Sequence, residues 1–366
     1  MTDYQNFQSH YERLLQMPVF GINQQEKWAK LSPIFEWLHQ HHRAHCAAYA
    51  NITSSAPAHF SSLENVPFLA VKLFKLMSLS STPTQNVFRT LHSSGTTGQT
   101  PATITLDKET SARQSKTLVK VLQESLGRQR LPMLIIDSPV TVKPGSSFTA
   151  RAAGIQGLSF FGRDHTYALD EQMQPNWQVI EAFHDKYHDQ PVLLFGFTFM
   201  VWQYFVKAFQ QSSGKPAFER GILLHSGGWK KLESEKVDND TFKNTVAELF
   251  GIHQVINFYG MAEQVGSIFT ECEAGHLHCP LFSDIIVRDP YTMKPCGSNQ
   301  QGLLQCVSVL PTSYPGHSIL TEDLGRLLGE DDCRCGRKGR YFAIDGRLPQ
   351  TEVRGCSDTF MAGDAV

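Results

Sequence analysis

No stretch of this 366-residue sequence is long and apolar enough to span a bilayer. The longest mainly apolar run, "VLLFGFTFMVW" at 192–202, falls short of the roughly 20 residues a membrane helix needs. An excess of either charge is also missing: 33 Lys and Arg stand against 35 Asp and Glu, a formal net charge of −2. That balance gives no electrostatic ground for binding nucleic acid or a membrane surface. The opening "MTDYQNFQSHYERLL" lacks the basic-then-apolar plan of a signal peptide. Internal repeats, long low-complexity linkers and the G-x-x-x-x-G-K-[ST] phosphate loop are absent as well. A cytosolic protein is the resulting expectation. Its eight cysteines then read as thiols, metal ligands or nucleophiles rather than disulfides.

What is present points to an α/β fold of one large or two smaller domains. Trp28, Leu31, Ile34, Phe35 and Leu38 recur at helical spacing within 24–49, and the "HQHHRAHC" run at 39–46 reads as the wet end of that helix. "LPMLIIDS", "QPVLLFGF", "ERGILLHSGG" and "HQVINFYG" each place a short apolar run before turn residues, and a helix-compatible stretch follows each of the last three. Such alternation predicts a parallel sheet covered on both faces, with ligands beyond the carboxyl ends of its strands. "HSGG" and "NFYGMAE" fall at those ends. After about residue 280 the chain turns to Gly, Pro and short strands, which predicts a smaller β-rich portion beside the sheet.

Between "VFRTLH" and "ATITLD", both alternating, lies "SSGTTGQTP". The flanks predict a hairpin, not a strand-to-helix loop. Glycines free successive N–H groups and hydroxyls add donors, a combination suited to a phosphate tail; an ordinary flexible turn is the plainer alternative. Taken on their own, Glu263 reads as a helix N-terminal carboxylate and Asp323 as a turn residue.

Here the sequence resembles the adenylate-forming superfamily of acyl-CoA synthetases, adenylation domains and firefly-type luciferases. "SSGTTGQTP" resembles its phosphate loop and "LLHSGG" (223–228) its adenine-side glycine segment. "NFYGMAE" (257–263), "ILTEDLGRL" (319–327) and "DGRLPQTEVRG" (345–355) are similar to its aromatic-Gly-x-x-Glu, Thr-x-Asp and hinge motifs. The resemblance implies that Ser93, Ser94, Gly95, Thr96, Thr97 and Gly98 hold ATP phosphates. It also implies that Ser226, Gly227, Gly228, Tyr259 and Gly260 line the nucleotide, Glu263 holds Mg²⁺ and Asp323 takes the ribose hydroxyls. The lysine that usually follows the phosphate loop is missing: Gly98 leads into Gln99-Thr100-Pro101-Ala102.

Within that superfamily the chain is similar to the LuxE-type acyl-protein synthetases (long-chain-fatty-acid–luciferin-component ligases). "VPFLAVKLFK", "ARAAGIQGLSFFG", "LFGFTFMVW", "HSGGWKK" and "EVRGCSD" carry this likeness. It implies a large adenylate-forming domain without the usual C-terminal small domain, divided as 1–85 (helical region), 86–345 (ATP and acyl core) and 346–366 (hinge remnant and tail). It implies activation of a fatty acid as acyl-AMP, loading on Cys356 as a thioester, and delivery to an acyl reductase. Arg354 two residues away would lower the thiol's pKa. Lys230 and Arg347 are the cations expected to offset phosphate charge, and "FGFTFMVWQYF" either walls an acyl tunnel or is core. Two alternatives stay open: transfer to CoA or a carrier-protein thiol, and a nucleotide-binding subunit without catalysis. Finally, Cys272, His278, Cys333 and Cys335 form a candidate structural zinc site, with Cys279 or His276 as substitutes. The "C-x-CGR" segment resembles phenylacetate-CoA-ligase-like relatives, which supports the zinc reading; reduced, packed cysteines are the alternative.

Overall fold

The computed structural model describes residues 3–92, 102–143, 150–212, 216–229 and 234–348. The chain begins with helices α1 (Asp3–Leu15), α2 (Gln24–His45) and α3 (Ala47–Ile52). Asn23 starts α2 by accepting a hydrogen bond from the Glu26 amide at 2.8 Å. The short β1 (Leu69–Ala70) and α4 (Leu73–Leu76) precede a two-stranded hairpin, β2 (Arg89–His92) with β3 (Thr103–Leu106). These antiparallel strands flank the glycine-threonine segment, as the alternation predicts.

The central alternation follows: α5 (Lys108–Leu126), β4 (Leu131–Ile135), α6 (Ala150–Leu158), β5 (Gly162–Tyr167), α7 (Trp177–Tyr187) and β6 (Val192–Phe197). Next come α8 (Thr198–Met200), a π turn at Val201–Val206, α9 (Lys207–Gln210), β7 (Gly221–Ser226) and α10 (Asn239–Phe250). Asp107 and Asp238 cap α5 and α10 through side-chain acceptors, each 2.7 Å from the amide three residues on. Strands β5, β4, β6, β7 and β8 (Gln254–Gly260) run parallel in that spatial order. Val192–Gly196 is buried throughout, as a strand covered on both faces requires. One face packs Leu193, Phe195, Leu224 and Ile256 against α1, α2 and α5, and the other packs Leu194, Leu223 and Val255 against α7 and α10.

Beyond β8 two expectations change. No helix follows it: Ala262–Gln264 is a single 3₁₀ turn, and the chain returns antiparallel as β9 (Ile268–Glu271). The β-rich portion is also not a separate layer. Strands β10 (Leu277–His278), β11 (Ser283–Arg288), β12 (Gly302–Ser308), β13 (Ser318–Glu330) and β14 (Arg340–Arg347) continue the same sheet, in the order β11-β12-β13-β14-β10-β9-β8. Strand β1 adds parallel to β13.

The N-terminal helices are locked to this extension by a buried ion pair. Lys27 Nζ lies 3.0 Å from Asp284 Oδ2 and donates to Ser283 O at 2.8 Å, while Gln24 Nε2 donates to the same carboxylate at 2.7 Å. Breaking one side of such a pair strands a buried charge.

The histidine run is a further correction. His45 is exposed, but His39 and His42 are fully buried. His39 Nδ1 meets Tyr49 Oη at 2.8 Å, Tyr49 Oη meets His317 Nε2 at 3.2 Å, and His42 stacks on His317 with ring centres 5.0 Å apart. Helical spacing alone did not show that the segment leading into β13 supplies a histidine and α3 a tyrosine to receive them. Among the described residues no helix is long and apolar enough to cross a membrane.

Burial holds His39 at about 4 and His317 at about 3, and it holds His42 well below the usual histidine value. These imidazoles stay neutral in the folded protein while the unfolded chain takes up protons near pH 6.5. Their stabilisation is therefore complete above that pH and lost as pH falls toward the folded values. Urea unfolding at pH 7.5 and 5.5 is expected to show a drop of about 1.4 kcal/mol per histidine for each pH unit below 6.5. A flat profile would mean the three rings are solvated.

Candidate functional site

The carboxyl ends of β6, β7 and β8 place Phe197, Ser226 and Phe258 side by side in register. Ser226 is buried, and Gly227 follows with φ +87°, a left-handed conformation that a side chain would strain. The Gly227 position also lies against the Phe197 ring, where an added Cβ would be 3.3 Å from Cδ1. Among the described residues nothing lies within 4 Å of the corresponding point at Gly228.

One strand over, the Tyr259 hydroxyl donates to Asp323 Oδ2 at 2.6 Å. Asp323 is held by its own motif: Thr321 Oγ1 accepts from the Asp323 amide at 3.1 Å and donates to Leu304 O at 2.8 Å. The Thr-x-Asp spacing thus lets the threonine side chain fix the aspartate backbone. Burial, with nearby Cys306 and Asp323, pushes the Tyr259 phenol well above its ordinary value, so Tyr259 is a donor at any physiological pH. Asp323 keeps acceptor capacity beyond the tyrosine bond, which ribose hydroxyls can use.

Glu263 lies on the 3₁₀ turn after β8 and is 7% exposed. Burial raises its carboxyl pKa; the charges of Lys75 and Arg347 lower it and that of Asp323 raises it. Two cations and a second carboxylate therefore share its field. Arg347 carries a weak contact to Asp323, Nε to Oδ1 at 3.7 Å, but its shorter bond is to Glu322 at 3.2 Å. Lys72 meets the other oxygen of Glu322 at 2.9 Å. Lys75 was not among the sequence candidates. The pairing of β1 with Ile319 and Leu320, just ahead of Thr321, is what carries it here. "VPFLAVKLFK" held that signal, but only its family likeness could have marked it.

The structure thus brings together Tyr259, Gly260, Glu263, Asp323 and Arg347, with Ser226, Gly227 and Gly228 at the neighbouring strand end. Ser93, Ser94, Gly95, Thr96, Thr97, Gly98, Lys230 and Cys356 lie outside the described residues. In "FGFTFMVWQYF", Val201, Trp202, Phe205 and Val206 are core, packed with Trp229, Phe242 and Phe250. For them the core reading holds.

A second constellation forms around β10. One ligand atom each from Cys272, His278, Cys333 and Cys335 lies within 4.8 Å of the other three. The Cys272 and Cys333 sulfurs are 4.0 Å apart, close to the edge of a tetrahedron with ~2.3 Å metal–sulfur bonds. Cys335 Sγ is 3.4 Å from His278 Nε2, and the Ala274 amide donates to Cys272 Sγ at 3.4 Å. Burial and the neighbouring thiols push the Cys335 thiol up to about 12, a pressure that a divalent cation reverses. His276 reaches the rim, its Nδ1 3.4 Å from Cys333 Sγ. Cys279 is outside the group: it is fully buried near Asp284 and Lys27.

A family model described as acyl-protein synthetase, LuxE, matches residues 19–363. The chain belongs to the LuxE acyl-protein synthetase family. It is 26% identical over 138 residues to the long-chain-fatty-acid–luciferin-component ligase of Vibrio harveyi, covering 37% of this chain and 35% of that protein. Against the ligase of the same description from Aliivibrio fischeri it is 28% identical over 109 residues, 29% of each. The matched stretches span about a third of these relatives' length. The fold is similar to that of 2-hydroxyisobutyryl-CoA ligase bound to 2-HIB-AMP, with a TM-score of 0.68 at 16% identity over 90% of this chain and 69% of that one. A second structure of that ligase, with 2-HIB-AMP and CoA, gives a TM-score of 0.67 at 17% identity, covering 89% of this chain and 69% of that one. These likenesses establish an adenylate-forming fold for this member of the LuxE family.

The Tyr259–Asp323 bond is testable by itself. Tyr259→Phe keeps the ring but removes a donor to a carboxylate, and urea unfolding is expected to show a loss of about 1.5–3 kcal/mol. Unchanged stability would mean that water replaces the hydroxyl without cost.

Proposed function

We propose that this chain is an ATP-dependent ligase that activates a long-chain fatty acid and loads it on its own Cys356. The observation that carries the reading is the junction of Tyr259, Asp323 and Glu263 at the carboxyl end of a parallel sheet, in a chain of the LuxE family. The fatty-acid carboxylate oxygen attacks the α-phosphorus of ATP, the α–β anhydride bond breaks, and pyrophosphate leaves. The Cys356 thiolate then attacks the acyl carbonyl, the carbon–oxygen bond to phosphate breaks, and AMP leaves.

Catalysis of the first step is positioning and charge stabilisation. Asp323 takes the ribose, Ser226-Gly227-Gly228 and Tyr259 line the base, and Ser93–Gly98 cradle the phosphates. Glu263 fits a hard cation: it is a buried carboxylate with a second carboxylate in its field, and Mg²⁺ held there would supply charge for the phosphates. Lys75 and Arg347 add positive charge beside it, and Lys230 extends the set. The tail from 346 delivers the acyl group to a partner, an acyl reductase in this reading. The cluster of Cys272, His278, Cys333 and Cys335 holds one structural zinc ion.

ATP–pyrophosphate exchange over saturated acids of 6–18 carbons is expected to respond most to long chains. Intact mass after incubation with ATP and acid is expected to show one hydroxylamine-labile acyl adduct, absent in Cys356→Ser. A flat exchange response to every acid would falsify the activity. Exchange without an adduct moves the acyl acceptor to CoA or a carrier thiol.

For the metal, elemental analysis of the purified chain is expected to give one zinc per molecule, and Cys335→Ser is expected to lose it with a lower urea midpoint. A zinc-free wild type of unchanged stability would leave four packed thiol and imidazole groups and no metal site.

A further inference from the structure

The turn that carries Glu263 is held by its neighbour. Gln264 is 1% exposed, and its Nε2 donates to two backbone carbonyls, Cys306 O at 2.9 Å on β12 and Gly316 O at 2.8 Å. Both protons of one amide head are spent on two separate segments. Glutamine can do this in a single planar group; an ionised glutamate has no donor, and methionine of similar length has none.

The surroundings leave the turn no other seat. A Cβ added at Gly316 would come within 3.0 Å of Glu263 O. Gly266, with φ +84°, faces α5 so closely that a Cβ there would lie 2.6 Å from Gln114 O. Gln114 in turn donates to the Tyr314 hydroxyl at 3.2 Å, closing a ring of contacts around the turn. Backbone from three sides fixes where residues 262–266 run, and the Gln264 amide sets the height of the turn above β12.

We propose that Gln264 is a positioning residue for Glu263, and that its paired bonds to Cys306 O and Gly316 O set how strongly the site takes Mg²⁺ with ATP. This rests on the reading of Glu263 as the Mg²⁺ ligand. Gln264 touches neither the metal nor the nucleotide. It acts by holding the carboxylate where cation and phosphates meet, as residues behind a metal ligand do.

The test is calorimetric titration of the full chain with ATP, once with saturating Mg²⁺ and once with EDTA. The ratio of the two affinities reports the metal's contribution and needs no turnover. Gln264→Met is expected to shrink that ratio about tenfold or more while leaving metal-free ATP binding within about twofold. Gln264→Asn keeps the amide but falls one methylene short of the two carbonyls, so its ratio is expected to shrink in the same direction. An unchanged ratio in a cooperatively folding Gln264→Met overturns the proposal. Should that variant fail to fold, an unchanged ratio in a folded Gln264→Asn overturns it instead. A wild type whose ATP affinity ignores Mg²⁺ removes Glu263 as the ligand, and this proposal with it; a large wild-type ratio untouched by the variants removes the proposal alone.

Discussion

The two halves of the sheet meet through a strand of only two residues. Leu277 and His278 pair on one side with Glu271 and Thr270 of β9, and on the other with Phe342 and Tyr341 of β14. So short a strand closes few ladder hydrogen bonds, so its place must be set by side chains. His278 lies between the rings of Phe20 and Tyr341, and it turns Nε2 toward the sulfur of Cys335. The cysteines reach this point from the turn after β9 and from the loop between β13 and β14. The cluster therefore ties the parallel half of the sheet to the antiparallel half at the narrowest place in the fold.

The candidate nucleotide site is built across that same junction. Tyr259 comes from the last parallel strand and Asp323 from the antiparallel half, so their 2.6 Å bond measures how well the halves are aligned. Glu263 lies on the turn between them, under the charges of Lys75 and Arg347. The Lys27–Asp284 pair reinforces the arrangement from the side, because it fastens α2 to β11. Removing a charge from that pair acts on the site only through the sheet. Removing Tyr259 or Asp323 acts on it directly.

Much of this was readable from local pattern. The four apolar runs became β4, β6, β7 and β8 because short runs bounded by turn residues suit buried parallel strands, although β8 is fully buried only at Val255 and Ile256. Alternation on either side of the glycine-threonine segment gave the β2–β3 pair. The four zinc candidates converge because β10, which carries His278, lies between β9 and β14, and the three cysteines sit just beyond the ends of β9 and β13. Local pattern failed wherever the partner came from afar. His39 and His42 are buried by Tyr49 and His317, Cys279 is turned toward Lys27 and Asp284, and Lys75 reaches Glu263 only through β1 pairing with β13. The expected helix after β8 is a 3₁₀ turn because the next strand must fold straight back to pair with it.

The sequence by itself determined the chemistry available to this protein. It supplies a hydroxyl-rich loop, a Tyr-Gly-x-x-Glu segment, a Thr-x-Asp pair, three thiols with an imidazole, and a family likeness that binds them to one reaction class. Those are properties of residue type and spacing, and all but the thiol and imidazole set are carried within a few positions of each other. Only the tertiary structure decided which of these groups share a field, which of the histidines stay dry, and that one unbroken sheet carries both the candidate nucleotide residues and the cysteine cluster. The reason is that burial and electrostatic coupling are set by what packs opposite a residue, and opposite partners here come from as far apart as Lys27 and Asp284 or Gln264 and Gly316.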